Sequence, residues 1–88
     1  MLEKAKNALR LKTSAFDDEI DTLIAACKDD LRAAGVEWIQ EGDPLINRAV
    51  ILYCKAHFGY LENAERYERA YEHLKCTLCL DGEHNAMV

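Results

Sequence analysis

The sequence predicts an all-α domain, a small bundle of about four helices. Three observations carry that expectation. Apolar residues recur at spacings of three and four along most of the chain, the period of a helix with one buried stripe. One Pro and four Gly leave few places for the tight turns of a many-stranded sheet. The breaks that do occur, at Thr13-Ser14, Gly35, Gly42-Asp43-Pro44 and Gly59, separate periodic stretches at about 2–11, 17–34, 44–58 and 63–80.

In the first stretch Leu2, Ala5, Ala8 and Leu9 share a face, while Lys4, Lys6, Arg10 and Lys12 mostly point away. A helix this short is not stable alone in water and must dock on the rest of the chain. In the second, Ile20, Leu23, Ile24, Cys27, Leu31 and Ala34 form the apolar stripe, opposite Asp21, Lys28, Asp29 and Arg32. Ser14 or Asp17 is placed to cap it, and Asp17, Asp18 and Glu19 put negative charge at the positive end of the helix dipole. Gly35 stands where a left-handed C-terminal cap belongs.

Asp43 and Pro44 open the third helix as N-cap and first helical residue. From Leu45 to Phe58 it is apolar on nearly every side, interrupted only by Asn47, Arg48, Lys55 and His57. Such a helix is covered by several partners. It is either central in the subunit or part of it lies between subunits, and the expectation is that copies of the chain or other proteins help to hide it. The fourth helix carries Ala64, Tyr67, Ala70, Tyr71, Leu74 and Leu78 as its stripe. Its mixed-charge face includes the pairs Glu62–Arg66 and Glu65–Arg69. Residues 81–88 lack periodicity and are expected to form a loose tail after a single domain over 1–80.

An 88-residue chain buries only about 60–65% of its unfolded surface, so neighbours are a natural source of added stability. The net charge of −5 and the absence of a basic run make tight DNA binding a poor fit, although an acidic wall suits DNA that must slide past without sticking. No apolar run approaches the ~18 residues of a membrane span. The charged stretch Met1 to Lys12 is unlike a secretory core, so the expectation is a protein made in the cytoplasm with its four cysteines as reduced thiols.

Two groupings invite a chemical reading. His73, Cys76, Cys79 and His84 are zinc-type ligands at close spacing, but the first three step along one helix, whereas structural zinc sites draw on separate elements. Packing or surface thiols is the better reading, and no metal or cofactor is expected. Cys54 and His57 share a helix face without an oriented third group, so the expectation is a core cysteine, a hydrogen-bonded histidine and no enzyme activity. Trp38 and Ile39 are large apolar residues between Glu37 and Glu41. They read either as a lid over the core or as an interface anchor. Tyr53, Tyr60, Tyr67 and Tyr71 share that ambiguity, Tyr67 and Tyr71 facing the core first.

The segments FDDEIDTLIAACKDDLRAAGV (16–36), DPLINRAVILYCKAHFGY (43–60) and ERYERAYEHLKCTLCL (65–80), after a short N-terminal helix, resemble the small head–tail connector, or head-completion adaptor, family of long-tailed bacteriophages. The resemblance covers roughly residues 1–80. It implies a helical subunit of a ring that docks beneath the portal after DNA packaging. That ring extends the DNA channel and offers a surface to the next stopper or tail component, as part of the virion and without enzyme activity or cofactor. The four cysteines are no part of that pattern. Ring contacts run head to tail and need two complementary faces; the acidic start at Asp17 and Asp18 and the Arg66/Arg69 face are the candidate pair, with Trp38, Ile39 and the tail after Leu80 as further contact regions. Two other readings stand beside it. One is a helix-turn-helix regulator, for which the N-terminal positions of the third helix offer only Asn47 and Arg48, and the second helix starts with Asp17, Asp18 and Glu19, which phosphates would repel. The other is a thiol or zinc module on Cys76 and Cys79.

Overall fold

The computed structural model describes residues 1–36, 39–40, 42–58 and 63–80. The fold is all-α, with helices α1 (Leu2–Leu9), α2 (Asp17–Ala33), α3 (Pro44–His57) and α4 (Ala64–Leu80).

α1 stops two residues short of the periodicity's end. Arg10 takes left-handed backbone angles (φ 59°), and the amides of Arg10 and Leu11 bond back to the carbonyls of Asn7 and Lys6 at 3.1 and 3.0 Å. This is a Schellman turn, which closes a helix by satisfying its last carbonyls. Leu11 still packs on the core, but from outside the helix.

The start of α2 differs from expectation. Neither Ser14 nor Asp17 caps it; Phe16 is the N-cap residue and gives no side-chain bond. Its ring instead meets Phe58 edge-on at 5.5 Å, fixing how the chain enters the helix. Asp17 sits in the first turn, paired with Lys6 of α1 at 3.0 Å. The other end is as expected. Gly35 has φ +105°, Gly35 N bonds Arg32 O at 3.0 Å and Val36 N bonds Leu31 O at 2.9 Å. Leu31 and Val36 are both fully buried, the apolar pairing that accompanies this cap.

α3 begins as the sequence indicates, with Asp43 Oδ1 accepting from Leu45 N at 2.9 Å and Pro44 in the first turn. It packs against all three other helices. Ile46, Ala49, Val50, Leu52 and Cys54, with Phe58 just beyond, are buried inside the chain. The first alternative therefore holds: α3 is the centre of the subunit. The expectation that copies or partners must hide it is corrected, because α1, α2 and α4 already do so, leaving Leu45 as its exposed large hydrophobic at 42%.

α4 runs antiparallel to α3, as Lys55 over the Tyr67 ring (5.2 Å) and Tyr53 against Tyr71 (5.1 Å) require. It runs parallel to α2, since Asp30 meets Tyr71 while Ala34 meets Cys79. Only Tyr71 and Leu78 are fully buried on it; Tyr67 and Leu74 are half-buried. Ala70 is exposed, contrary to the stripe reading, because the buried line steps through 67, 71, 74 and 78 and position 70 falls on its flank.

Candidate docking surface

α4 covers one side of the bundle and turns most of its own surface outward. Glu65, Arg66, Glu68, Arg69, Ala70, Glu72, His73, Cys76, Thr77 and Leu80 are all exposed. Glu65, Glu68, Arg69 and Glu72 line one open hollow, and Arg66 borders a second with Arg48, Leu52, Asn63, Tyr67 and Ala70. Neither hollow encloses a nucleophile beside a base. The first is mainly acidic, with Arg69 among three glutamates, and the second carries Arg48 and Arg66 with no acidic residue.

Behind that surface a polar network fastens α4 to the bundle. Tyr71 Oη donates to Asp30 Oδ2 at 2.6 Å, and Lys75 Nζ reaches the same oxygen at 3.0 Å. Lys75 also pairs with Glu72 at 3.0 Å and lies over the Tyr71 ring. Burial alone would push the Asp30 carboxyl up; the hydrogen bonds from Tyr71 and Lys75, with the Lys75 charge, outweigh it and hold the carboxyl below its ordinary value. Burial would likewise push Lys75 down, but Glu72 and Asp30 raise it. Tyr71 is raised by burial and by donating to Asp30. Deeper in, Cys27 donates weakly to Tyr71 Oη at 3.8 Å. Its thiol is pushed up to about 12, chiefly by burial, and Cys54 to about 11 for the same reason.

The expected site residues separate into groups. Arg66 and Arg69 are exposed and close together on α4. Asp18 is exposed, together with Glu19 and Asp21, whereas Asp17 is half-buried against Lys6, so the free acidic patch starts one residue later than read. Ile39 is half-buried against the core, which favours the lid reading for that residue. Trp38, Tyr60, Glu62, His84 and the tail 81–88 lie outside the described residues. Of the zinc-type set, His73 and Cys76 are exposed and Cys79 gives its thiol proton to the Ala34 carbonyl. No group of three metal-type ligands converges among the described residues. Cys54 is buried, while His57 is exposed and packs its ring on Tyr53 at 4.2 Å. The role of Tyr71 as the hub between α2 and α4 was not legible, since Asp30 and Lys75 are 45 residues apart and read only as surface charges.

A scan against protein-family models matches the phage connector protein family over residues 1–85. The chain is a phage connector protein family member. A search of the curated proteins and a search of the solved structures each returned no match. For this connector the family implies a structural part in the virion, in contact with other head and tail proteins. No helix among the described residues is long and apolar enough to cross a membrane.

Proposed function

We propose that this connector is one subunit of a ring at the head–tail junction, seated beneath the portal once DNA is packaged. In that position it extends the DNA channel and presents a surface to the next stopper or tail component. It acts by contact and not by turnover, needs no cofactor, and lets genomic DNA pass without sequence-specific binding. The observation that carries this reading is the exposed face of α4. It is a helix whose interior is satisfied by two buried side chains and a polar network, leaving a long alternating-charge surface with nothing of this chain over it among the described residues.

The two complementary patches are Asp18, Glu19 and Asp21 near the start of α2 and Arg66 and Arg69 near the start of α4, all exposed. On adjacent subunits one patch would face the other, as a head-to-tail ring contact needs two complementary faces. The acidic net charge supports passage of DNA through such a ring, because an anionic wall gives phosphates nothing to hold.

The test is a charge swap read by sedimentation, on the chain alone and over purified portal rings. Arg66→Glu with Arg69→Glu should weaken assembly, and Asp18→Lys with Glu19→Lys should do the same. A mixture of the two variants should recover part of it. Assembly that is indifferent to both reversals contradicts this pairing.

A further inference from the structure

The four thiols fall into two classes. Cys27 and Cys54 are buried, and burial holds them protonated. Cys76 and Cys79 stand one turn apart near the end of α4, and both line the same open, apolar-walled hollow with Ala34, Lys75 and Leu80. Cys76 is exposed. Cys79 is half-buried and ties α4 to the C-cap of α2 through the Ala34 carbonyl. Because Cys76 is itself exposed and lines this open hollow, a small molecule can approach it from solvent.

We propose that Cys76 and Cys79 form a reversible dithiol–disulfide site, with Cys76 as the attacking thiol and Cys79 as the resolving one. The co-reactant is a low-molecular-weight disulfide. The Cys76 thiolate attacks one of its sulfurs, the small molecule's S–S bond breaks, and one thiolate leaves while Cys76 holds a mixed disulfide. Cys79 gives up its proton, attacks the Cys76 sulfur and expels the second thiolate. The protein has lost two electrons and two protons, and the small disulfide has gained them as two thiols.

The geometry states what closure does to the fold. Side chains three apart on a helix have Cβ atoms about 5–6 Å apart, whereas a disulfide needs about 3.5–4.5 Å. The last turn of α4 must therefore leave regular helix, which it is placed to do because the helix ends one residue beyond Cys79. Closure also removes the Cys79 tie to Ala34. A bond made against helix geometry is readily reduced. The setting in which the site would switch, passage from a reducing cytoplasm to oxidising surroundings, rests on the virion role proposed above; the thiol chemistry does not.

The experiment treats the folded full-length chain with excess of an aromatic disulfide whose released thiolate is coloured, followed by intact mass. Wild type should release two coloured thiolates and end lighter by two hydrogens, with no adduct attached. Cys79→Ser should release one and keep one adduct; Cys76→Ser should react more slowly. Helical circular dichroism checks that each variant is folded. Wild type carrying two adducts, or one stable adduct, or a disulfide-linked dimer, overturns the proposal.

Discussion

Arg10 holds a left-handed backbone that costs a residue with a Cβ about 1 kcal/mol and costs glycine almost nothing. Arg10→Gly should stabilise the chain by ~0.5–1 kcal/mol in urea denaturation, whereas Arg10→Ala should be close to neutral. Tyr71 is the other residue on which much rests. Tyr71→Phe keeps the ring against Tyr53 but removes the 2.6 Å bond to Asp30. A hydrogen bond to a charged group contributes about 1.5–3 kcal/mol; because the Asp30 side chain is 39% exposed, about 1–2 kcal/mol is expected after solvent screening. The sign of the pH dependence follows from the same groups. Asp30, lowered in the fold from 3.8, contributes stability above that value and loses it as pH falls further. Cys27 and Cys54, raised from 9.0 to about 12 and about 11, contribute fully below 9.0, and that contribution declines as pH rises through the native values. Tyr71 and Lys75, both raised, act in the same direction above 10.0 and 10.5. The urea midpoint should therefore fall on both flanks, and Tyr71→Phe should shallow the alkaline one.

At the scale of elements, the helices were legible where local chemistry decides. Asp43-Pro44 marks the start of α3 and Gly35 the end of α2 because a cap side chain, a fixed proline φ and a glycine with φ above zero each act within a few residues. Asp43→Ala should cost ~1 kcal/mol by thermal or urea unfolding, with α3 fraying at its first turn. The entry to α2 was not legible for the opposite reason. Ser14 and Asp17 are good caps in isolation, but the Phe16–Phe58 ring contact and the Lys6–Asp17 pair are tertiary and take precedence. The end of α1 was missed because Arg10 carries no sign that it will adopt a glycine's conformation. On α4 the stripe was read one residue too wide at Ala70, since an alanine is apolar enough to pass as core and small enough to be left outside.

For the whole molecule, the bundle buries Ile46, Ala49, Val50, Leu52 and Cys54 of α3 within the subunit, so most of that segment's apolar excess belongs to the core. The exposed charges of α4 and of the start of α2 are the contact surfaces proposed for neighbours. Of the candidate contacts, Arg66, Arg69 and Asp18 could be read from the sequence as exposed charges on helix faces. That Asp17 is taken by Lys6 needed the tertiary arrangement. The account depends on the chain seating against portal at the head–tail junction. Co-sedimentation of the pure chain with purified portal rings, with stoichiometry read from the bound fraction, tests this most directly. The account predicts saturable binding at several copies per portal ring, weakened by reversing Arg66 and Arg69. A chain that stays monomeric and unbound at every concentration of portal contradicts it.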